Sequence, residues 1–109
     1  MTGSAFSTNV MIPGDGFTSS GNIKTYTKIA ENGNPIDSHF CPECGSTMFT
    51  TGVAFGDNKI IKVGSLDSKD SLQQWKPAFE LFATNKPSWI PKIQDAEAKK
   101  AMLDSESID

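Results

Sequence analysis

Turn signals break this chain before most of its pieces reach the length of an ordinary helix. They come at Pro13-Gly14-Asp15-Gly16, Ser19-Ser20-Gly21-Asn22, Glu31-Asn32-Gly33-Asn34-Pro35, Gly56-Asp57-Asn58, Gly64-Ser65 and Asn85-Lys86-Pro87. Each cluster combines residues that preset φ or tolerate a left-handed backbone, so each marks a change of chain direction. The runs between them are short, β-branched and aromatic: Phe6–Ile12, Ile23–Ile29, Ser38–Cys41, Met48–Thr51, Lys59–Val63 and Phe79–Ala83. In Ile23–Ile29 the residues alternate, with Ile23, Thr25, Thr27 and Ile29 on one side and Lys24, Tyr26 and Lys28 on the other. Short strands at this spacing predict a mainly β domain: a sandwich, a barrel or a pair of curved sheets.

One segment reads differently. Pro91–Asp104 carries Ala96, Glu97, Ala98, Lys99, Lys100, Ala101, Met102 and Leu103, all good helix formers, behind Asp95 as a cap. A short C-terminal helix is expected there, and a single helical turn between Leu66 and Trp75. Trp75, Trp89, Phe79 and Phe82 are expected in the core, because large aromatics dominate burial in small domains.

The charge is placed unevenly. The chain has ten lysines, no arginine and thirteen acids, a net charge of −3. Residues 1–94 are neutral, with eight of each sign, and the whole charge belongs to the last fifteen residues. This divides the chain into a domain over 1–94 and a helix with an acidic tail over 95–109. A net negative charge without arginine argues against a nucleic-acid partner. No apolar run reaches the ~18 residues of a membrane span, and Met1–Phe6 has neither the basic nor the apolar region of a secretory signal. Two cysteines three positions apart cannot staple a secreted mini-protein, so a cytoplasmic location is expected. Nor does the chain offer a Ser–His–Asp set or a phosphate-cradling loop before a helix.

Cysteine and histidine fall together: His39, Cys41 and Cys44 lie in His39-Phe-Cys-Pro-Glu-Cys-Gly-Ser-Thr47. Two residues between thiolates let one tight turn offer both sulfurs to a tetrahedral zinc. Pro42 fixes φ early in the turn, and Gly45 can take a positive φ just after the second sulfur. A competing reading is a redox dithiol, which works best with the first cysteine at a helix N-terminus; the residues after Cys44 favour a strand instead. Two thiolates do not close a structural zinc site, which takes four ligands. His39 is the nearest further candidate, since alternate residues of an extended segment share a face; the blander reading makes it a half-exposed strand residue.

Four motifs then resemble one known family in order and spacing: Met1-Thr-Gly-Ser-Ala-Phe6, Phe40-Cys-Pro-Glu-Cys-Gly-Ser-Thr47, Lys62-Val-Gly-Ser-Leu-Asp67 and Pro87-Ser-Trp-Ile90. The chain is similar, over about residues 1–103, to the glutathione-dependent formaldehyde-activating enzyme and centromere protein V family. The resemblance implies a β-tent, a zinc-ribbon-like arrangement of short antiparallel strands. It implies zinc as cofactor, with Cys41 and Cys44 as half of a four-cysteine structural site. It also implies a second, open zinc held by a Cys-His-Cys-x-x-Cys motif, and a carbon–sulfur lyase activity on a glutathione–aldehyde thiol adduct such as S-hydroxymethylglutathione. The Gly3-Ser4 segment, with Thr8 and Asn9, would then line the thiol substrate.

This sequence departs from the family where the open zinc should be. The Thr2-Gly3-Ser4-Ala5-Phe6 segment usually follows the three-cysteine motif, and here it stands at the start. Cys41 and Cys44 alone carry over, and no catalytic residue does. Three explanations follow: a truncated chain, which the start at this motif boundary favours; a natural short form with a degenerate site; or two chains sharing one four-cysteine site in a homodimer. The expected function is that of a family member silent as a lyase by itself. The alternatives are a non-enzymatic zinc-knuckle interaction module and a Cys-x-x-Cys redox dithiol.

Overall fold

The computed structural model describes residues 3–68 and 70–108. The chain forms two compact units, Thr8–Leu72 and Met1–Ser7 with Gln73–Asp109. The structure is mainly β, in agreement with the turn-punctuated sequence.

The first unit is a five-stranded antiparallel sheet. Its strands are β1 (Asn9–Ile12), β2 (Lys24–Ile29), β3 (Pro35–Phe40), β4 (Thr47–Gly52) and β5 (Lys59–Lys62), in the spatial order β1-β5-β4-β3-β2. Strands β1, β2, β3 and β5 each begin or end beside a turn cluster of the sequence, and β4 begins after the cysteine turn. The register aligns one row of side chains across all five strands: Thr25, His39, Phe49, Ile61 and Val10. Cross-strand partners share a face, so this row defines the inner side of the sheet. Its apolar centre is buried, at Phe49 and Ile61. Phe17, from the loop after β1, packs edge-on against Phe49 with ring centroids 4.9 Å apart. Beyond β5 the chain turns through Val63–Ser65, where Val63 is the most deeply buried side chain and its N–H donates to the carbonyl of Thr8. The alternation in β2 is present: Thr25 and Thr27 pair with His39 and Asp37, and Tyr26 pairs with Ser38. All six β2 residues are nonetheless exposed, because β2 is an edge strand with a neighbour on one side only.

Two tight fits fix the loops of this unit. A Cβ on Gly14 would collide with the Asp57 carbonyl oxygen, so the β1–β2 loop meets the β4–β5 loop backbone to backbone. Between β2 and β3, the N–H of Ala30 donates to the carbonyl of Asn34, and the Asn32 side chain accepts from the Asn34 N–H. An asparagine that bonds its own backbone two residues on is a turn former, which is why Asn32-Gly33-Asn34 reverses the chain.

The second unit holds a small three-stranded sheet of β6 (Phe79–Glu80), β7 (Glu97–Lys99) and β8 (Ser107–Ile108), in that order, with β6 and β7 parallel and β7 and β8 antiparallel. The expected C-terminal helix is not formed: its centre is β7. Ala96 and Ala98 are buried while Glu97 is exposed, a period of two. Asp95, expected to cap the helix, instead takes a φ of 68°, a left-handed turn conformation that aspartate tolerates. Helix propensity is a weak bias of tenths of a kcal/mol per residue, and here strand pairing on both sides of β7 overrides it.

The predicted helical turn is present as Ser71–Gln74. The aromatic core residues are not where burial statistics put them. Trp89 is 75% exposed, and Trp75, Phe79 and Phe82 are exposed as well. The buried centre of this unit is the pair of small alanines, which short strands can approach closely. Beside them Lys86 pairs with the nearly buried Glu80 at 3.0 Å, and the second Glu80 carboxylate oxygen has no partner among the described residues. Among those residues no helix is long and apolar enough to cross a membrane.

Candidate functional site

The β3–β4 hairpin carries the cysteine turn. Its backbone is closed twice: the Gly45 N–H donates to the Cys41 carbonyl at 2.8 Å, and the Cys41 N–H to the Ser46 carbonyl at 2.9 Å. Closing the turn this tightly requires Gly45 to sit at φ 80°, which explains a residue without Cβ directly after the second cysteine. Both cysteines are free thiols; Cys41 is half-buried at the end of the hairpin and Cys44 is exposed. The Cys44 thiol donates to Ser46 Oγ at 3.3 Å. Ionised, it accepts from the same hydroxyl. Ser46 therefore holds Cys44 below the ordinary thiol value, with the Ser46 backbone and the Cys41 thiol adding to the effect.

His39 lies two residues before Cys41 and is held from two sides. Its Nδ1 is 3.1 Å from Thr25 Oγ1 and its Nε2 is 2.9 Å from Thr51 Oγ1. The ring stacks on Phe49 with centroids 4.4 Å apart and an angle of 13°. In a neutral ring one hydroxyl donates to the bare nitrogen while the other accepts from the ring N–H. Both nitrogens are thus committed on the inner side of the sheet. The register between β3 and β4 shifts between His39 and Phe40, so the strand geometry that aligns residues 39 and 41 on one face is interrupted there.

His39 and Phe49 instead line an open groove of about 680 Å³ with Thr25, Thr51, Phe17 and Lys59. Sequence reading passed over Thr25 and Thr51 as functional neighbours of His39. The signal was available for Thr25, since the alternation of β2 and a hairpin centred on Asn32-Gly33 place it opposite residue 39.

Gly3 and Ser4, the expected thiol-lining residues, are exposed and belong to the second unit, with Gly3 at φ 71°. Thr8 lies in the first unit, its carbonyl engaged by Val63.

Zinc would find two soft donors here. Among the described residues no group of three or more His, Cys, Asp or Glu side chains is arranged to hold a metal ion. The Cys41–Cys44 turn has the donor type and spacing for zinc, but it supplies half of a four-ligand shell.

A comparison with protein-family models matches residues 1–85 to the family described as glutathione-dependent formaldehyde-activating enzyme. No curated protein and no solved structure gives a match.

Proposed function

Since this chain belongs to the glutathione-dependent formaldehyde-activating enzyme family, we propose that its Cys41–Cys44 turn is a zinc knuckle, within a β-tent related to carbon–sulfur lyases of glutathione–aldehyde adducts. The observation that carries this reading is the turn itself: two neighbouring free thiols, a backbone closed by two hydrogen bonds, Gly45 in the left-handed region and Ser46 favouring the Cys44 thiolate. Zinc bound there would supply cross-linking of the hairpin and, in an open site, Lewis-acid polarisation of a thiol adduct. In this chain Cys41 and Cys44 offer the sulfurs, Gly45 and Ser46 shape the turn, and Gly3 and Ser4 are proposed to contact the thiol substrate. The sequence holds no further cysteine for an open three-thiolate zinc, so the 109-residue chain by itself is proposed to be silent as a lyase. The cytoplasm, where thiols stay reduced, suits such a site.

The test is metal content joined to turnover. Purified protein should retain zinc against a weak chelator, and Cys41→Ser or Cys44→Ser should abolish retention. Zinc uptake unaffected by either substitution would sink the knuckle. Chelator-sensitive breakdown of S-hydroxymethylglutathione by the wild-type chain would sink its silence.

A redox reading has one observation in its favour, the exposed, acid-shifted Cys44 beside a second thiol. It requires a Cys41–Cys44 disulfide that forms and reduces reversibly in metal-free protein, which thiol counting after glutathione equilibration measures.

A further inference from the structure

Strand β2 ends the five-stranded sheet. It has β3 on one side and no strand on the other, and all six of its residues are exposed. A strand so placed holds outward N–H and C=O groups that another extended chain can pair with. The opposite edge, β1, is less available: it has four residues, none charged, and two of them are partly covered. The extended form of β2 is already fixed. Its hydroxyls on the inner side are tied to β3, with Thr27 Oγ1 donating to Asp37 Oδ1 at 2.6 Å and Thr25 Oγ1 lying 3.1 Å from His39 Nδ1. An incoming chain would have only itself to order, which lowers the cost of binding.

The other face of β2 selects the chain by charge. Lys24, Tyr26 and Lys28 alternate along it, opposite Phe40, Ser38 and Ile36 of β3. β3 thus sets no carboxylate against either lysine, and among the described residues neither lysine enters an ion pair. Tyr26, between them, is 58% exposed. The lysines stand four residues apart, about 13 Å along a strand. A second β2 fits this edge poorly: antiparallel pairing centred on Tyr26 would set each lysine against a lysine, and like charges directly opposite destabilise a sheet. Carboxylates at the same spacing would instead meet both ammonium groups.

We propose that the free edge of β2 takes an acidic, extended segment of another protein as a sixth strand of the sheet. The segment carries Asp or Glu at positions i and i+4 and an apolar residue at i+2. Backbone pairing along β2 supplies the affinity. The two carboxylates face Lys24 and Lys28, and the apolar side chain lies against Tyr26. The site is independent of the cysteine turn and of any metal there.

The probe is a peptide with blocked termini, Thr-Glu-Thr-Val-Thr-Glu-Thr, titrated into the full chain at low salt and followed by fluorescence anisotropy and by amide hydrogen exchange. Binding should saturate with a dissociation constant below about 1 mM and weaken as salt is raised. Exchange should slow at alternate amides of Lys24–Ile29 and stay unchanged over Asn9–Ile12, the other edge. Lys24→Ala and Lys28→Ala should each weaken binding about 1.5- to 5-fold, the range of one cross-strand charge pair. The double variant Lys24→Glu with Lys28→Glu should lose this peptide and bind the one with lysine in place of both glutamates. Both positions are exposed, so these variants fold, which their circular dichroism spectra check. No binding by the wild-type chain would overturn the proposal and leave the lysines as guards of a bare edge. Binding without slowed exchange in β2, equal binding of the glutamate and lysine peptides, or tighter binding of a single-stranded oligonucleotide would overturn it too.

Discussion

Gly45→Ala isolates what the backbone would contribute to the metal capture proposed for the cysteine turn. The residue sits at φ 80°, and a Cβ added there would meet nothing within 4 Å. Collision with neighbours therefore adds nothing, and the whole effect is the cost of placing an L-residue in the left-handed region, about 1–2 kcal/mol. The metal-free variant can shed that cost by opening the 2.8 Å hydrogen bond from the Gly45 N–H to the Cys41 carbonyl, whereas two sulfurs on one ion need the turn closed, so the cost falls on binding. At 1.4 kcal/mol per tenfold, zinc affinity should fall about 5- to 30-fold. Gly45→Asn should recover most of the loss, since asparagine tolerates this conformation. Gly64→Ala is the control: it also meets open space, but its φ lies outside the left-handed region, and its zinc affinity should match the wild type. The assay is competition with a chromophoric chelator at fixed pH. Wild-type affinity in Gly45→Ala, or equal losses in Gly45→Ala and Gly45→Asn, would refute the argument.

Three further outcomes are expected. Phe49→Ala removes the buried ring that meets both His39 and Phe17, and denaturant unfolding should show a loss of about 3–5 kcal/mol. A loss under about 1 kcal/mol would mean that Phe49 is not a core residue. Ser46→Ala removes the main influence holding the Cys44 thiol low, so metal-free protein should be alkylated more slowly at Cys44 at neutral pH, read by peptide mass spectrometry; an unchanged rate would deny the hydroxyl its role. The Glu97 carboxyl is held below the usual glutamate value by the Ser107 hydroxyl and then Lys99. A carboxyl depressed in the folded state stabilises it above the unfolded value, and the gain is lost as pH falls through the folded value. Stability measured against pH should therefore show a smaller acid loss in Glu97→Gln than in wild type, and identical profiles would refute it.

The strands of the first unit were legible because each is bounded by local chemistry. Asn32-Gly33-Asn34 turns the chain whatever surrounds it, and the alternation of Ile23–Ile29 already names the residues that face β3. The C-terminal segment was misread for the opposite reason. Ala96 to Leu103 prefers a helix locally, but Ala98 pairs with both Glu80 and Ile108. Those partners lie 18 residues before it and 10 after, and no window of local propensity contains them. The same limit hides Trp89: its size argues for burial, whereas the short strands here close over alanine side chains.

The candidate site divides along this line too. The cysteine turn is a local object, and its spacing, its proline and its glycine state the geometry that Cys41 to Ser46 adopts. The direction of His39 is not local. Nearness in sequence to Cys41 suggested a shared ligand set, but the imidazole is positioned by threonines 14 residues before it and 12 after it. Hydroxyls on both ring nitrogens and an aromatic face alongside satisfy a half-buried imidazole better than reaching past a register shift would. The consequence reaches the metal site. Because the fold uses the single histidine to knit β2, β3 and β4 together, the two sulfurs are left as the chain's soft donors at the hairpin tip. A zinc ion held there as proposed would need its remaining ligands from beyond the residues that build the sheet.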